Sequence, residues 1–237
     1  MNQARELWAA VFVGLVIAAS VPVAGEDSGY EFSFPDDPNY LVLQYRSLVP
    51  QLPEAYDPTP SLRIYGDGRL RVHFHASFSG APDWERQLSR EEVERILSAL
   101  AEEGVLELSN QRIAALWDQA YSEVQKERAI SPLPRSPGAE LTISLDGYSG
   151  ASEGSKTSVQ RLLCIPARLG VFSSDFVSLR RELWGEVSPS SPELARLFRA
   201  EQILLGLHEK EGLKKVPPLP SEPESFQGYV STSTCFD

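Results

Sequence analysis

The chain has 237 residues, of which 42 % are hydrophobic and 9 % aromatic, and its formal net charge is −11 at pH 7. This length and composition provide enough apolar surface for a buried core and exclude wholesale disorder. The negative charge argues against a nucleic-acid partner, which would require a basic face on the protein.

An uncharged segment follows Arg5 and Glu6 and extends from residue 7 to residue 25. A basic start, an apolar run and then small residues are the layout of a secretory signal peptide. Its 19 residues are also just long enough to span a bilayer, so an uncleaved membrane anchor is the alternative. In either case we expect export to the periplasm or the cell exterior, with membrane contact only through this segment.

The remainder divides into three parts by composition. Residues 26–39 are predicted to be a polar leader, residues 40–213 a single domain, and residues 214–237 a mobile tail rich in Pro and Ser. Within the domain, residues 40–48 alternate apolar and polar side chains with a period of two, which predicts the first strand.

The stretch SLRIYGDGRLRVHFH predicts a β-hairpin, because apolar residues alternate on both sides of Gly-Asp-Gly. A three-residue loop pairs Ile64 with Leu70 and Leu62 with Val72, which places all four on one face. A two-residue turn would put them on opposite faces. The three-residue loop needs a left-handed residue at its third position, and Gly68 supplies it.

The same register places basic residues on the other face of the hairpin, which we call the polar hairpin face: Arg63, Arg69, Arg71, His73 and His75. Arg63 lies opposite Arg71, an unfavourable pair unless an acidic group covers it. One interpretation is an internal carboxylate or a helix packed over this face, which the acidity of the chain favours. The other is an anion-binding patch.

Two helices are predicted next. Ser89 and Glu92 form a capping box before an apolar stripe, and Gly104 ends this helix. A second helix is expected at about 110–128. Residues 131–138 are predicted to be a linker.

The chain then returns to strand patterns. ELTISLDGY predicts a strand through Leu141, Ile143 and Leu145, and a returning strand is expected from residue 157 until Pro166 ends it.

Two further helices complete the prediction. One covers residues 173–187, and the other begins at a capping box of Ser190 and Glu193 with Pro192 in its first turn. Hairpins joined by helix pairs indicate an α+β fold: an antiparallel sheet built from hairpins and packed on one face by helices.

The stretches LVLQYRS, LRIYGDGRLRV and RQLSREEVERILSALAEEGVLEL together resemble a group of uncharacterised exported bacterial proteins. The shared features are a YGDG-type hairpin followed by a helix that opens with Leu-Ser-x-Glu-Glu. The likeness covers residues 40–110. It implies an exported α+β domain and carries no activity to transfer to particular residues.

One catalytic pattern is present. Residues 150–154 match G-x-S-x-G around Ser152, and Asp175 and His208 follow in the order found in serine hydrolases. The context argues against this hypothesis, since a nucleophile elbow needs a strand directly before the turn and a helix directly after it. A secreted serine hydrolase therefore stays an alternative.

A metal site is the third hypothesis. His73 and His75 lie two apart on a strand, so both rings point to the same side. Two ligands are too few for a zinc or copper site, and His208 or a carboxylate would have to supply a third. The simpler interpretation is that the two histidines accompany the arginines. We expect no resident metal or cofactor.

The chain contains two cysteines, Cys164 and Cys235, and in an oxidising compartment they can form a disulfide. Closing a loop of this length would stabilise the fold by roughly 4 kcal/mol.

Together these patterns favour a non-enzymatic exported domain that binds a protein partner or a cell-envelope component. Two candidate surfaces are available: the polar hairpin face and the Pro-rich tail.

Overall fold

The computed structural model describes residues 29–47, 60–74, 82–128, 135–150, 157–168, 191–209 and 212–218. Residues 7–25, the predicted helix at 173–187, His75, Ser152, Asp175 and Cys235 lie outside these ranges. Within them, no helix is both long enough and apolar enough to cross a membrane.

One antiparallel sheet of eight strands organises the described residues. The strands are β1 (Glu31–Ser33), β2 (Leu41–Ser47), β3 (Leu62–Tyr65), β4 (Arg69–His73), β5 (Asp83–Gln87), β6 (Arg135–Ser149), β7 (Thr157–Arg168) and β8 (Lys214–Val216). Their order is β1-β6-β2-β3-β4-β5-β8, and β7 pairs with β6. The described helices are α1 (Arg90–Glu102), α2 (Asn110–Arg128) and α3 (Pro192–Gly206). The predicted α+β class is confirmed.

The two faces of the sheet differ in character. One face, which we call the apolar face, joins the helices in a single hydrophobic cluster that includes Leu43, Leu62, Ile64, Leu70, Val72, Leu141 and Ile143 from the sheet and Val93, Leu97, Leu100, Ile113, Leu194, Leu197 and Leu204 from the helices. Tyr45 Oη donates a hydrogen bond of 2.6 Å to Glu201 Oε1 and so ties α3 to the sheet. The described helices therefore pack on one face of the sheet, as predicted.

The predicted hairpin forms in the expected register. Ile64 pairs with Leu70 and Leu62 with Val72, and Gly68 has a φ of 82°. Close approach also explains the first glycine, because a Cβ on Gly66 would lie 2.0 Å from the carbonyl oxygen of Pro35. Gly-Asp-Gly is a tight turn held between two neighbouring segments.

Polar contacts fix this turn in place. Asp67 Oδ1 accepts a hydrogen bond of 3.0 Å from the amide of Arg69. The amide of Gly66 donates to the carbonyl of Tyr40, and the amide of Leu88 donates to the carbonyl of Gly68. The turn thus positions both the entry to β2 and the residues just before α1.

The helix caps agree with the sequence in one case and differ by one residue in the other. Ser89 and Glu92 form the predicted capping box of α1, and Gly104 follows this helix with a φ of 70°. For α3 the N-cap is Ser191 and not Ser190, because Pro192 takes the first helical position and Ser191 accepts from Leu194.

Three strands lie where the sequence pattern does not predict them. β1 lies inside the predicted polar leader, β5 lies between the hairpin and α1, and β8 lies at the start of the predicted tail. β1 and β8 have only three residues each, too few for periodicity to appear, and both form through pairing with distant strands. β1 and β8 thus lie within the stretches predicted to be the leader and the tail.

The second predicted hairpin is longer than expected. β6 begins at Arg135, inside the predicted linker, and β7 continues past Pro166 to Arg168. Among the described strands, β7 pairs only with β6. Pro166 is tolerated there because the N–H that proline lacks is not needed for a hydrogen bond to a second described strand. Asn110 covers part of that outer edge, since its side chain bonds the carbonyl of Leu162 and the amide of Cys164.

We expect Gly66→Ala and Gly68→Ala each to lower the free energy of unfolding by about 2 kcal/mol or more. A Cβ on Gly68 would combine left-handed strain with a 2.3 Å approach to the carbonyl oxygen of Leu88. Gly206→Ala is the matched control, because a Cβ added there would meet nothing within 4 Å, and it should change stability by no more than about 1 kcal/mol. Urea denaturation measures all three, and equal effects would contradict the role assigned to the turn.

Candidate functional site

Three of the four described residues of the polar hairpin face lie in the interior. Arg63 and Arg71 are directly opposite each other, as predicted. Arg63, Arg71 and His73 are only 5 %, 7 % and 5 % exposed. Arg69 is half-buried at the rim, with its guanidinium over the Tyr65 ring. In this arrangement these residues do not form an open basic patch.

An internal carboxylate balances the buried cations. Asp83 in β5 pairs across the sheet with His73, and its own exposure is 2 %. Its Oδ2 accepts from Arg71 Nε at 3.1 Å and lies 3.0 Å from Arg71 Nη2, while its Oδ1 lies 2.8 Å from His73 Nδ1. An acidic group therefore meets these cations, as the first interpretation of this face expected. We call Arg71, His73 and Asp83 the buried charge cluster.

Neighbouring strands complete the surroundings of Arg71. Its Nη1 lies 3.8 Å from Glu85 Oε2, and its Nη2 donates a hydrogen bond of 2.7 Å to the carbonyl of Pro217. Pro217 directly follows β8, so one guanidinium connects β4 with β5 and with the chain leaving β8.

Opposing effects set the protonation of Asp83. Burial alone would raise the pKa of its carboxyl group. The hydrogen bond from His73 and the charges of Arg71, His73 and Arg63 act in the other direction and outweigh it, so the pKa lies below its ordinary value of 3.8. Asp83 is therefore an anion at neutral pH.

The His73–Asp83 contact resembles the base and orienting carboxylate of many hydrolases. In those sites the imidazole reaches a nucleophile and a bound substrate. Here the side chains of His73 and Asp83 are 4 % and 3 % exposed, which keeps both away from any substrate in solution. The pair serves to neutralise and orient charge within the sheet.

The structure does not bring His208 to His73. The His208 ring packs edge-on against Phe74, with centroids 6.2 Å apart. Phe74 adjoins His73 in an extended chain, so the two side chains point to opposite faces. Burial lowers the pKa of His208, against the raising effect of backbone hydrogen bonds. Within the described ranges, no three residues among His, Cys, Asp and Glu are placed to hold a metal ion.

The surroundings of the G-x-S-x-G pattern are those of a hairpin. Ser152 and Asp175 lie outside the described residues, but the flanking strands do not. β6 and β7 pair directly, with Tyr148 opposite Thr157. β7 begins at Thr157, five residues after Ser152, where a nucleophile elbow requires a helix.

A second buried charge lies on the same face as the buried charge cluster. Glu140 in β6 is 6 % exposed, and its Oε2 lies 3.7 Å from Arg46 Nη1. Burial raises the pKa of Glu140, and Arg46 only partly opposes this. Glu140 pairs across the sheet with Cys164, which is fully buried and disulfide-bonded. Since Cys235 lies outside the described residues, its pairing with Cys164 stays a prediction.

An aromatic cluster that is not predicted from the sequence lies where β1 meets β6. The ring centroids of Tyr30 and Phe32 are 6.4 Å apart, with an interplanar angle of 29°. The ring of Tyr148 lies 6.0 Å from that of Tyr30 and 5.8 Å from that of Phe32, at interplanar angles of 17° and 23°. All three are partly exposed and pack against the core. The spacing of Tyr30 and Phe32 by two residues was the available signal, but it lies in the stretch assigned to the leader.

Comparison with known proteins adds no family to this description. None of the family models, curated proteins or solved structures compared with this chain matches it.

We expect Asp83→Asn to destabilise the fold by about 3 kcal/mol or more, because it leaves the buried guanidinium of Arg71 without its counter-charge. Glu94→Gln is the control: Glu94 forms an ion pair with Arg90, and both side chains are about two-fifths exposed. Its removal should cost no more than about 0.5 kcal/mol. Chemical denaturation at pH 7 measures both variants.

The stability difference between wild type and Asp83→Asn should also depend on pH, in a direction set by the lowered pKa of Asp83. A carboxyl group whose pKa is lowered by folding stabilises the protein above its unfolded pKa, and this contribution is lost as the pH falls through the folded pKa. The stability difference between wild type and Asp83→Asn should therefore be largest above about pH 5 and shrink below about pH 4. A difference that stays constant from pH 7 to pH 3 would contradict the assigned role of Asp83.

Proposed function

We propose that this chain is an exported binding domain that recognises a protein partner or a component of the cell envelope. It acts by presenting a rigid surface, and it does not carry out a reaction. The observation that carries this proposal is the contrast between its reactive groups, which are buried, and its aromatic cluster, which is partly exposed.

The ionisable groups that could best take part in catalysis, His73 and Asp83, are used in contacts that hold the sheet together. Both oxygens of Asp83 are occupied, by Arg71 on one side and by His73 on the other. A general base or an oxyanion site needs groups that can reach a substrate. The burial of this cluster supports a structural role for it.

The aromatic cluster has the properties of a recognition surface. The three ring centroids are almost equidistant. If the rings were stacked in one column, the first and third centroids would be about twice as far apart as neighbouring ones. The rings therefore lie side by side. Aromatic side chains are enriched in interfaces, and tyrosine adds a polar tip to an apolar body. Because the rings already pack against the core, little side-chain freedom would be lost on binding.

The position of the cluster also suits binding. β1 and β6 pair over residues 31–33 and 147–149, which fixes Phe32 directly opposite Tyr148. Sites built on strands are held more precisely than sites on loops. A partner with an apolar or ring-shaped surface, such as an aromatic side chain or a sugar ring, matches this arrangement.

The test is capture of partners from a solubilised envelope extract of the source cell by immobilised protein. We expect the double variant Phe32→Ser, Tyr148→Ser to lose on the order of tenfold in capture of wild-type partners. Phe198→Ser is the control, since Phe198 is another partly buried aromatic residue, on α3. Circular dichroism checks that both variants are folded.

Two results would contradict the proposal. One is equal capture by wild type and the aromatic double variant. The other is covalent labelling of Ser152 in folded protein by a fluorophosphonate, which would support the serine-hydrolase alternative.

A further inference from the structure

We propose that the C-terminal segment, residues 219–237, lies across the polar face of the sheet and is fastened there by a disulfide between Cys164 and Cys235. The polar face is the side opposite the apolar face, and it carries Arg46, Arg63, Arg71, His73, Asp83, Glu140 and Cys164. This arrangement does not depend on the identity of any partner, so its failure would leave the proposed binding function untouched.

Most of the residues named on the polar face are buried, although the described helices lie on the other side. These three helices contribute their apolar residues to the apolar face. An antiparallel sheet with helices on one side usually leaves the other side in water, and long basic side chains there stay hydrated. Instead Arg63 and Glu140, from different parts of the sheet, are 5 % and 6 % exposed. Some part of the chain must cover this face.

Cys164 brings a second part of the chain to the polar face. Leu163 and Ile165 belong to the apolar cluster, so the Cys164 side chain between them points to the polar face. Cys164 is disulfide-bonded. The chain has one other cysteine, Cys235, the third residue from its end. An intrachain disulfide therefore places the end of the chain on the polar face.

The C-terminal segment also begins on this side of the sheet. The carbonyl of Pro217 accepts a hydrogen bond from Arg71, whose side chain belongs to the polar face. The chain that leaves β8 therefore contacts this face one residue after the strand ends. The start of the segment, near Pro217, and its proposed disulfide partner, Cys164, thus lie on the same side of the sheet.

The chain is long enough for the crossing. β8 and β7 lie at opposite ends of the strand order, six strand spacings apart, or roughly 29 Å. Cys235 follows Pro217 by 18 residues, and an extended chain of that length reaches about 60 Å. The segment can cross the whole sheet with slack.

The composition of the segment suits this face. Residues 219–237 contain Glu222, Glu224 and Asp237 and no Lys, Arg or His. Their charge complements the arginines of the polar face. The prolines at positions 217, 218, 220 and 223 favour an extended chain that does not add to the strand ladder.

The crossing has a consequence for binding. The sequence suggested two binding surfaces, the polar hairpin face and the Pro-rich tail. In the proposed arrangement the tail covers the hairpin face. Neither is free for an external partner while the disulfide holds.

Peptide mapping tests the covalent part. Trypsin without reductant should release residues 162–168 linked to residues 216–237, as one species that separates on reduction. Recovery of both peptides as free thiols from folded protein would overturn the proposed fastening.

Carboxyl labelling with a carbodiimide and an amine tests the coverage. In the full chain Glu140 should label slowly, while Glu31, which is exposed, labels quickly and serves as the internal control. A variant ending at residue 218 should label at Glu140 on the order of tenfold faster, with Glu31 unchanged. Continued protection of Glu140 in folded truncated protein would overturn the proposal and assign the cover to another part of the chain, such as residues 169–190.

The full-length protein gives a second readout if the truncated chain does not fold. Chymotrypsin should cut after Phe226 or Tyr229 much more slowly in the oxidised wild type than in Cys235→Ser. Equally rapid cleavage in both proteins would overturn the proposal.

Discussion

The polar side of this sheet depends on the Asp83 carboxylate. Burying the Arg71 guanidinium without a counter-charge would cost several kcal/mol, and the Asp83 carboxylate supplies that charge and also bonds the His73 ring. Asp83 also joins β4 to β5, and Arg71 extends the connection to the carbonyl of Pro217 beyond β8. Three consecutive strands at one end of the sheet thus share one charge-balanced group.

The contacts of Asp83 change how the basic and histidine-rich hairpin is interpreted. In the sequence it suggests an anion-binding or metal site, because arginines and histidines lie on one face. In the fold Arg71 and His73 turn towards Asp83 and away from solvent, which is a structural role. The partly exposed rings of Tyr30, Phe32 and Tyr148 are better placed to meet a partner. Function is therefore expected from the aromatic end of the sheet.

Local chemistry could be predicted from the sequence, and long-range pairing could not. The hairpin register follows from the parity of its apolar residues and from Gly68, and the start of α1 follows from Ser89 and Glu92, so both predictions are confirmed. β5 is different, because Trp84 is its only apolar residue and its pairing with β4 holds it in place. For this reason the need for an internal carboxylate was predictable from the opposed arginines, whereas its identity as Asp83 was not.

The exchange rate of the Arg71 Nε–H proton is the most direct test of this account. Its bond to Asp83 in a buried cluster predicts slow exchange with solvent, in nitrogen-15 spectra, and a signal that persists as the pH is raised above 8. Arg90 provides the internal reference, since its Nε–H bonds to Glu94 on the surface. Exchange of Arg71 as fast as that of Arg90 would show that the cluster is open to water and would contradict the structural role proposed for it.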